Sequence, residues 1–219
     1  MAVFPVFLKL EGRRVLVVGA GPVAASKLRP LVDAGARVTV VAPRVVREID
    51  EIAAMAPRIE IVRRPFEPGD VDGVWYVVAA APPEVNRAVA QAAESKCLFV
   101  NAVDDLESAS AYAGAIVQKA GVTIALSTDG EAPALAGLVR EALEALLPED
   151  LDNWMACAQS ARREWLAQGV PMPERRPLLL QALNELYEQK RSARREPRTA
   201  SSEIREASRE PREADLQAL

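Results

Sequence analysis

The apolar positions of this chain fall into two rhythms that take turns. Val15-Leu-Val-Val18, Val38 to Ala42, Val74-Trp-Tyr-Val-Val-Ala-Ala80 and Leu98-Phe-Val-Asn101 are continuous aliphatic and aromatic runs without polar alternation. Such runs predict strands of a parallel sheet covered on both faces, and Ile59 to Val62 adds a shorter strand. Between them the apolar residues return at helical spacing. Val23, Leu28, Leu31 and Val32 form one stripe, ended by Gly35 as a C′ glycine, and a second helix is expected from Val46 to Met55. A third, opened by Pro82-Pro83, carries Val85, Ala88, Val89, Ala92 and Ala93 and runs to about Lys96. Phe66 to Gly73 is turn chemistry. Strand and helix alternate to this point, which predicts a doubly wound parallel sheet.

From Ala113 the rhythm changes. Ala115 to Val117 and Val122 to Leu126 predict two strands around a Lys119-Ala-Gly121 turn, followed by the polar loop Ser127-Thr-Asp-Gly-Glu-Ala-Pro133. Pro133 opens an apolar helix through Leu135, Leu138, Val139, Leu143 and Leu147, stopped by Pro148. Two strands and one helix bury too little alone, so this piece is expected to pack on a second copy, giving a homodimer, or else back on the first domain. Helices are expected over Asp152 to Gly169 and Pro177 to Lys190, with Gln168 to Arg176 as a loop-like linker. After Arg191 the chain is mostly Arg, Glu, Ala and Ser, which predicts a disordered charged tail.

The chemistry concentrates in Arg14 to Lys27, RVLVVGAGPVAASK. Gly19 and Gly21 provide a tight turn with bare backbone, and Pro22 and Val23 open a helix whose free amides attract an anion. The spacing is G-x-G-x-x-A, with Ala24 at the third position, set between a strand and a helix as a dinucleotide fingerprint requires. The acid usual about 20 residues further on is missing, because the second strand ends Ala42-Pro43-Arg44. Arg44 suits a 2′-phosphate or is simply solvated, so NAD and NADP both stay open. Ligands of such sheets lie beyond the strands' carboxyl ends. Ala80, Ala81 and Asn101 stand there, followed by Asp104-Asp105, a base or a helix cap.

The organisation read from these patterns is α/β: a Rossmann-type parallel-sheet domain over residues 1–112 that binds NAD, a small α+β dimerisation region over 113–148, a C-terminal helical domain over 149–190 and a tail over 191–219. A net charge of −4 and a pI near 5.2 argue against nucleic acid as a partner. No leader and no membrane-spanning run is read, so a soluble, cytoplasmic protein is expected. Two separated cysteines fit a reducing compartment. No histidine occurs in the 219 residues, which excludes a Ser-His-Asp hydrolase, leaves proton transfer to other groups and gives no expectation of a resident metal. Neither Tyr112 nor Tyr187 precedes a lysine by four residues, so the short-chain dehydrogenase arrangement is absent.

From Pro5 to about Arg176 the order of motifs resembles the siroheme-synthase N-terminal family of precorrin-2 dehydrogenases, many of them also sirohydrochlorin ferrochelatases. The resemblance is carried by Pro5-Val-Phe7, VVGAGPVA with Lys27, Asp33 to Pro43, Asn86, Ala92-Ala-Glu-Ser95, Asn101-Ala-Val-Asp104, Ser127 to Ala136, Arg140 and Leu146-Leu-Pro148. It implies NAD-dependent oxidation of the tetrapyrrole precorrin-2 to sirohydrochlorin, with Fe²⁺ insertion as a second step and Fe²⁺ a substrate rather than a bound cofactor. The family's catalytic aspartate falls on Asp104. Ser127 and Thr128 match a substrate loop, and Lys119, Arg140, Arg162, Arg163, Arg175 and Arg176 are candidates to meet substrate carboxylates. The chain departs from the family at Ala81-Pro82-Pro83, at Ser110-Ala111 and at Ser26, and it lacks the methyltransferase domain of longer members. A non-catalytic dinucleotide-sensing module is the alternative from a different functional class.

Overall fold

A computed structural model describes residues 3–103 and 105–195. The expected alternation is present as β1 (Arg14–Val18), α1 (Pro22–Asp33), β2 (Arg37–Val41), α2 (Arg47–Met55), β3 (Ile59–Val62), a 3₁₀ turn at Pro68–Val71, β4 (Tyr76–Ala79), α3 (Pro83–Glu94) and β5 (Phe99–Ala102). These strands form one five-stranded sheet in the order β3-β2-β1-β4-β5, parallel throughout. The expected Rossmann-type α/β fold is thus the observed one.

The strand period of two splits the runs between the faces of the sheet. Val15, Val17, Val38, Val40 and Val78 pack with Ala24, Ala25, Leu28, Ile49 and Ile52 of α1 and α2. Leu16, Val18, Val41, Val77, Ala79, Val100 and Ala102 pack with Val89 and Ala93 of α3. Continuous apolar runs therefore serve two layers at once, which is why they show no alternation. Arg64 and Asp70 join as a bidentate pair beside the 3₁₀ turn. The Arg64 guanidinium holds the Asp70 carboxyl below its ordinary range.

Beyond the sheet come the two-stranded hairpin β6 (Ala115–Lys119) and β7 (Val122–Leu126), then α4 (Pro133–Leu146), α5 (Leu151–Gln168) and α6 (Met172–Arg195). The chain packs as two units, one of Met1–Gln118 with Thr123–Leu146, the other of Lys119–Val122 with Leu147–Leu219. In the second unit α5 ends at Gly169 in the left-handed region, and Trp154 packs edge-on against Tyr187 and donates to its hydroxyl at 2.9 Å.

One expectation fails. The linker read over Gln168 to Arg176 is much shorter, because α6 begins at Met172 and takes Pro177 inside it. Pro173 fits the first turn, where its missing N–H costs nothing. The Arg175 guanidinium reaches back to donate to the Val170 carbonyl at 2.8 and 3.0 Å, fixing the entry to the helix. The helix backbone continues to Arg195, and the rest of the expected tail, residues 196–219, lies outside the described residues. Among the described residues no helix is long and apolar enough to cross a membrane.

Candidate active site

Four strands finish level at one edge of the sheet. Val18 is in register with Val41 and with Ala79, and Ala79 with Ala102, so the turns after β1, β2, β4 and β5 leave side by side. That edge brings Gly19, Gly21, Pro22, Val23, Ala42, Pro43, Arg44, Ala80, Ala81 and Asn101 together.

The turn after β1 is built from main chain. Gly19 sits at φ +100°, and a Cβ there would run into the Ala80 carbonyl. Only glycine lets the two turns approach so closely. The Gly19 amide donates to the Val41 carbonyl at 2.9 Å, the Ala80 amide to the Val18 carbonyl at 2.8 Å, and the Val46 amide to the Ala20 carbonyl at 3.0 Å. Gly21 caps α1 in an extended conformation and Pro22 follows. The first in-register helical bond runs from the Ala25 amide to the Gly21 carbonyl at 3.1 Å, so the Val23 and Ala24 amides precede any helical acceptor. No acidic side chain stands in this first turn to repel an anion. The Ala24 methyl, in place of a third glycine, is fully buried between α1 and the sheet.

After β2, Ala42 is buried where an acid would meet a ribose, while Pro43 and Arg44 are exposed. The α2 carboxylates have arginine partners: Glu48 with Arg29, Asp50 with Arg63 and Glu51 with Arg47. Arg44 has no ion-pair partner among the described residues. After β4, the Ala81 amide donates to Asn86 Oδ1 at 3.0 Å. Asn86 is buried on the inner face of α3, so the departure from the family at Ala81-Pro82-Pro83 is held by a side chain of the following helix. In the sequence Asn86 stood out only among the residues that carry the family resemblance, without this role.

The β5 end is built from side chains. Asn101, 7% exposed, donates through Nδ2 to the Ala111 carbonyl at 3.1 Å, and its Oδ1 has no donor among the described residues. Ser110 accepts the Val100 amide on Oγ at 2.9 Å. Asp104 lies outside the described residues. Asp105 accepts the Ser108 amide at 3.1 Å, and hydrogen bonds from Ser108, helped by the charge of Arg87, hold its carboxyl below the ordinary range. A carboxylate so held is a weaker base than an ordinary one.

The substrate candidates are placed less uniformly. Ser127 Oγ accepts the Asp129 amide at 3.0 Å and Thr128 Oγ1 accepts the Ala132 amide at 3.3 Å, so both oxygens shape the loop before α4 while their O–H groups remain available to donate. Arg140 is taken up by Glu141 and Glu144. Lys119 belongs to the other packing unit, where it donates to the Leu147 carbonyl at 3.2 Å. Among the described residues no group of three or more Asp, Glu or Cys side chains comes together as metal ligands. Among the described residues one depression of about 320 Å³ lies at the amino ends of β1 to β3, and one of about 520 Å³ lies between β5, the end of α3 and the segment Glu107 to Ser110.

A bare glycine turn against β4, unpaired amides at the start of α1 and a first helical turn without an acidic side chain fit a dinucleotide. The family described as "putative NAD(P)-binding" matches residues 6–115, just over half of the chain. The chain belongs to this NAD(P)-binding family. Its matched region holds the whole five-stranded sheet and the nucleotide edge. The chain is also 43% identical to "siroheme synthase 3" of Aeromonas hydrophila over 177 residues, 80% of this chain and 38% of that protein. It is 37% identical to the siroheme synthase of Photorhabdus laumondii over 185 residues, 84% of this chain and 39% of that one. It thus spans about two fifths of the length of these curated relatives. Among solved structures it is similar to "SirC, precorrin-2 dehydrogenase", with a TM-score of 0.66 and 27% identity over 82% of this chain and 88% of that one.

Proposed function

We propose that this NAD(P)-binding chain oxidises precorrin-2 to sirohydrochlorin with NAD, in the route to siroheme. The observation that carries the reading is the likeness to SirC over 82% of this chain and 88% of that one, joined to a nucleotide edge with the features described above.

Gly19, Gly21 and the Val23 and Ala24 amides hold the pyrophosphate, Ala42 to Arg44 border the adenosine ribose, and Ala80, Ala81 and Asn101 border the nicotinamide half. Bound NAD supplies an acceptor for two electrons and one proton. The macrocycle also loses a second proton, and Asp104 takes it. Asp105 is the poorer candidate for that task, because its hydrogen bonds with Ser108 hold its carboxyl below the ordinary range. With no histidine in the chain, a carboxylate is the base the sequence provides at this strand end. The hydroxyls of Ser127 and Thr128 and the cation of Arg140 are assigned to the substrate's carboxylates.

Fe²⁺ insertion is assigned as a second step in which Asp104 accepts pyrrole protons displaced by the metal. The region 113–148 is assigned to self-association as a homodimer, supported by the exposure of Ile116, Leu135, Leu138 and Leu146. A cytoplasmic location accords with this chemistry.

The test is anaerobic. Enzymatically generated precorrin-2 and NAD are mixed with the protein, dinucleotide reduction and the macrocycle spectrum are followed, and Fe²⁺ or Co²⁺ is then added. Reduction followed by a metal-dependent spectral change supports both steps, and reduction alone restricts the chain to the dehydrogenase. No reduction with NAD or NADP by folded protein overturns the proposal in favour of a dinucleotide sensor.

A further inference from the structure

The segment after β5 leaves the sheet and returns to it at a single point. Val100 gives its amide to Ser110 Oγ at 2.9 Å, and its carbonyl accepts the amides of Ser110 and Ala111, both at 2.9 Å. One residue further on, Asn101 Nδ2 donates to the Ala111 carbonyl at 3.1 Å. Four hydrogen bonds, all between residues about ten positions apart, thus close the base of a loop whose sequence carries Asp104 and Asp105. The turn inside it is held by the Ser108 amide on Asp105. Its tip is held as well: Leu106 packs where a Cβ on Gly130 would stand, tying this turn to the loop of Ser127 and Thr128.

We propose that Ser110 is a positioning residue for the reaction: its hydroxyl oxygen latches the base of the acidic loop to Val100, fixing the loop against the sheet edge where substrate is oxidised. This rests on the function proposed above. The bond that does it is made by a side chain standing in for a neighbouring strand. Val100 is buried with Ser110 in place, and removing Ser110 Oγ takes away the hydrogen-bond partner of its amide. Ser110 itself is exposed and makes no part of the nucleotide turn, so its effect should fall on turnover rather than on dinucleotide binding.

The experiment compares the whole chain with Ser110→Ala and Ser110→Thr in the anaerobic assay, with dinucleotide affinity measured by fluorescence titration and Val100 amide exchange by NMR. The expected result for Ser110→Ala is a kcat about tenfold lower, dinucleotide affinity within twofold, and Val100 exchange faster by an order of magnitude or more. Ser110→Thr, which keeps the oxygen, should restore all three. Faster Val100 exchange in Ser110→Ala with unchanged kcat overturns the proposal, because the latch would then be open without consequence. So does a fall in dinucleotide affinity matching the fall in kcat, or failure of Ser110→Thr to rescue. A wild-type chain without turnover sinks the proposed function, and this role with it.

Discussion

The two ends of the nucleotide edge are made in different ways. At β1 the work is done by main chain, with a glycine that admits β4 and amides at a helix start that carry no side chain's identity. At β5 side chains join in, with Ser110 Oγ and Asn101 Nδ2 adding two hydrogen bonds to the two that main chain makes at the base of the loop. A main-chain cradle suits any anion of the right size, whereas a side-chain latch can be tuned to one reaction. On the proposed function, binding the dinucleotide and choosing the chemistry should be separable, and variants can be chosen to pull them apart.

The largest effect is expected at Gly19. Gly19→Val forces a branched side chain into the Ala80 carbonyl at positive φ, costing about 3 kcal/mol of stability and abolishing dinucleotide binding, as read by thermal melting and fluorescence titration. Loss of turnover with normal dinucleotide affinity would break the comparison. Asp104→Ala sharpens it from the other side, lowering kcat by roughly 10²–10⁴ while dinucleotide affinity stays within twofold. Asp105→Asn should leave kcat within about threefold, since this carboxylate shapes a turn rather than moving a proton. Its native pKa is lowered, so its contribution to stability is present above the ordinary carboxylate pKa and lost as pH falls through the lower native value. Asp105→Asn should flatten acid unfolding slightly over that window.

The smallest effect lies at the opposite end of the sheet. Burial pushes the Tyr76 phenol, at the amino end of β4, up to about 12. The unfolded chain ionises this group first, so its contribution is intact below about pH 10 and is lost as pH rises from there through the native value. Tyr76→Phe should remove that part of the alkaline destabilisation and leave both binding and turnover unchanged. Titration by ultraviolet absorbance beside thermal melts checks it.

The same division governs what could be read from the sequence. The β1-turn-α1 segment was legible because its information is local, with a valine run, a glycine and a proline each acting on its immediate neighbours. Asn101 was legible as a polar residue ending an apolar strand. Ser110 registered only as the retained serine of a Ser-Phe pair that here reads Ser110-Ala111, because its partner Val100 lies ten residues back and no spacing rule connects them. The start of α6 was misread for a related reason. Two prolines near a helix entry look like a linker until Arg175 is seen covering the Val170 carbonyl. Asn86 stood out only among the residues that carry the family resemblance, and its acceptor role depends on how the chain leaves β4.

The latch also guards the flank of the sheet. β5 is its outermost strand, and Phe99 beside it is 59% exposed, a combination that invites a strand from another chain to add on. With the Val100 amide and carbonyl both occupied by Ser110 and Ala111, that docking rail is interrupted at its centre. Loosening it would uncover an edge group of the kind by which sheet borders accept strands from other chains.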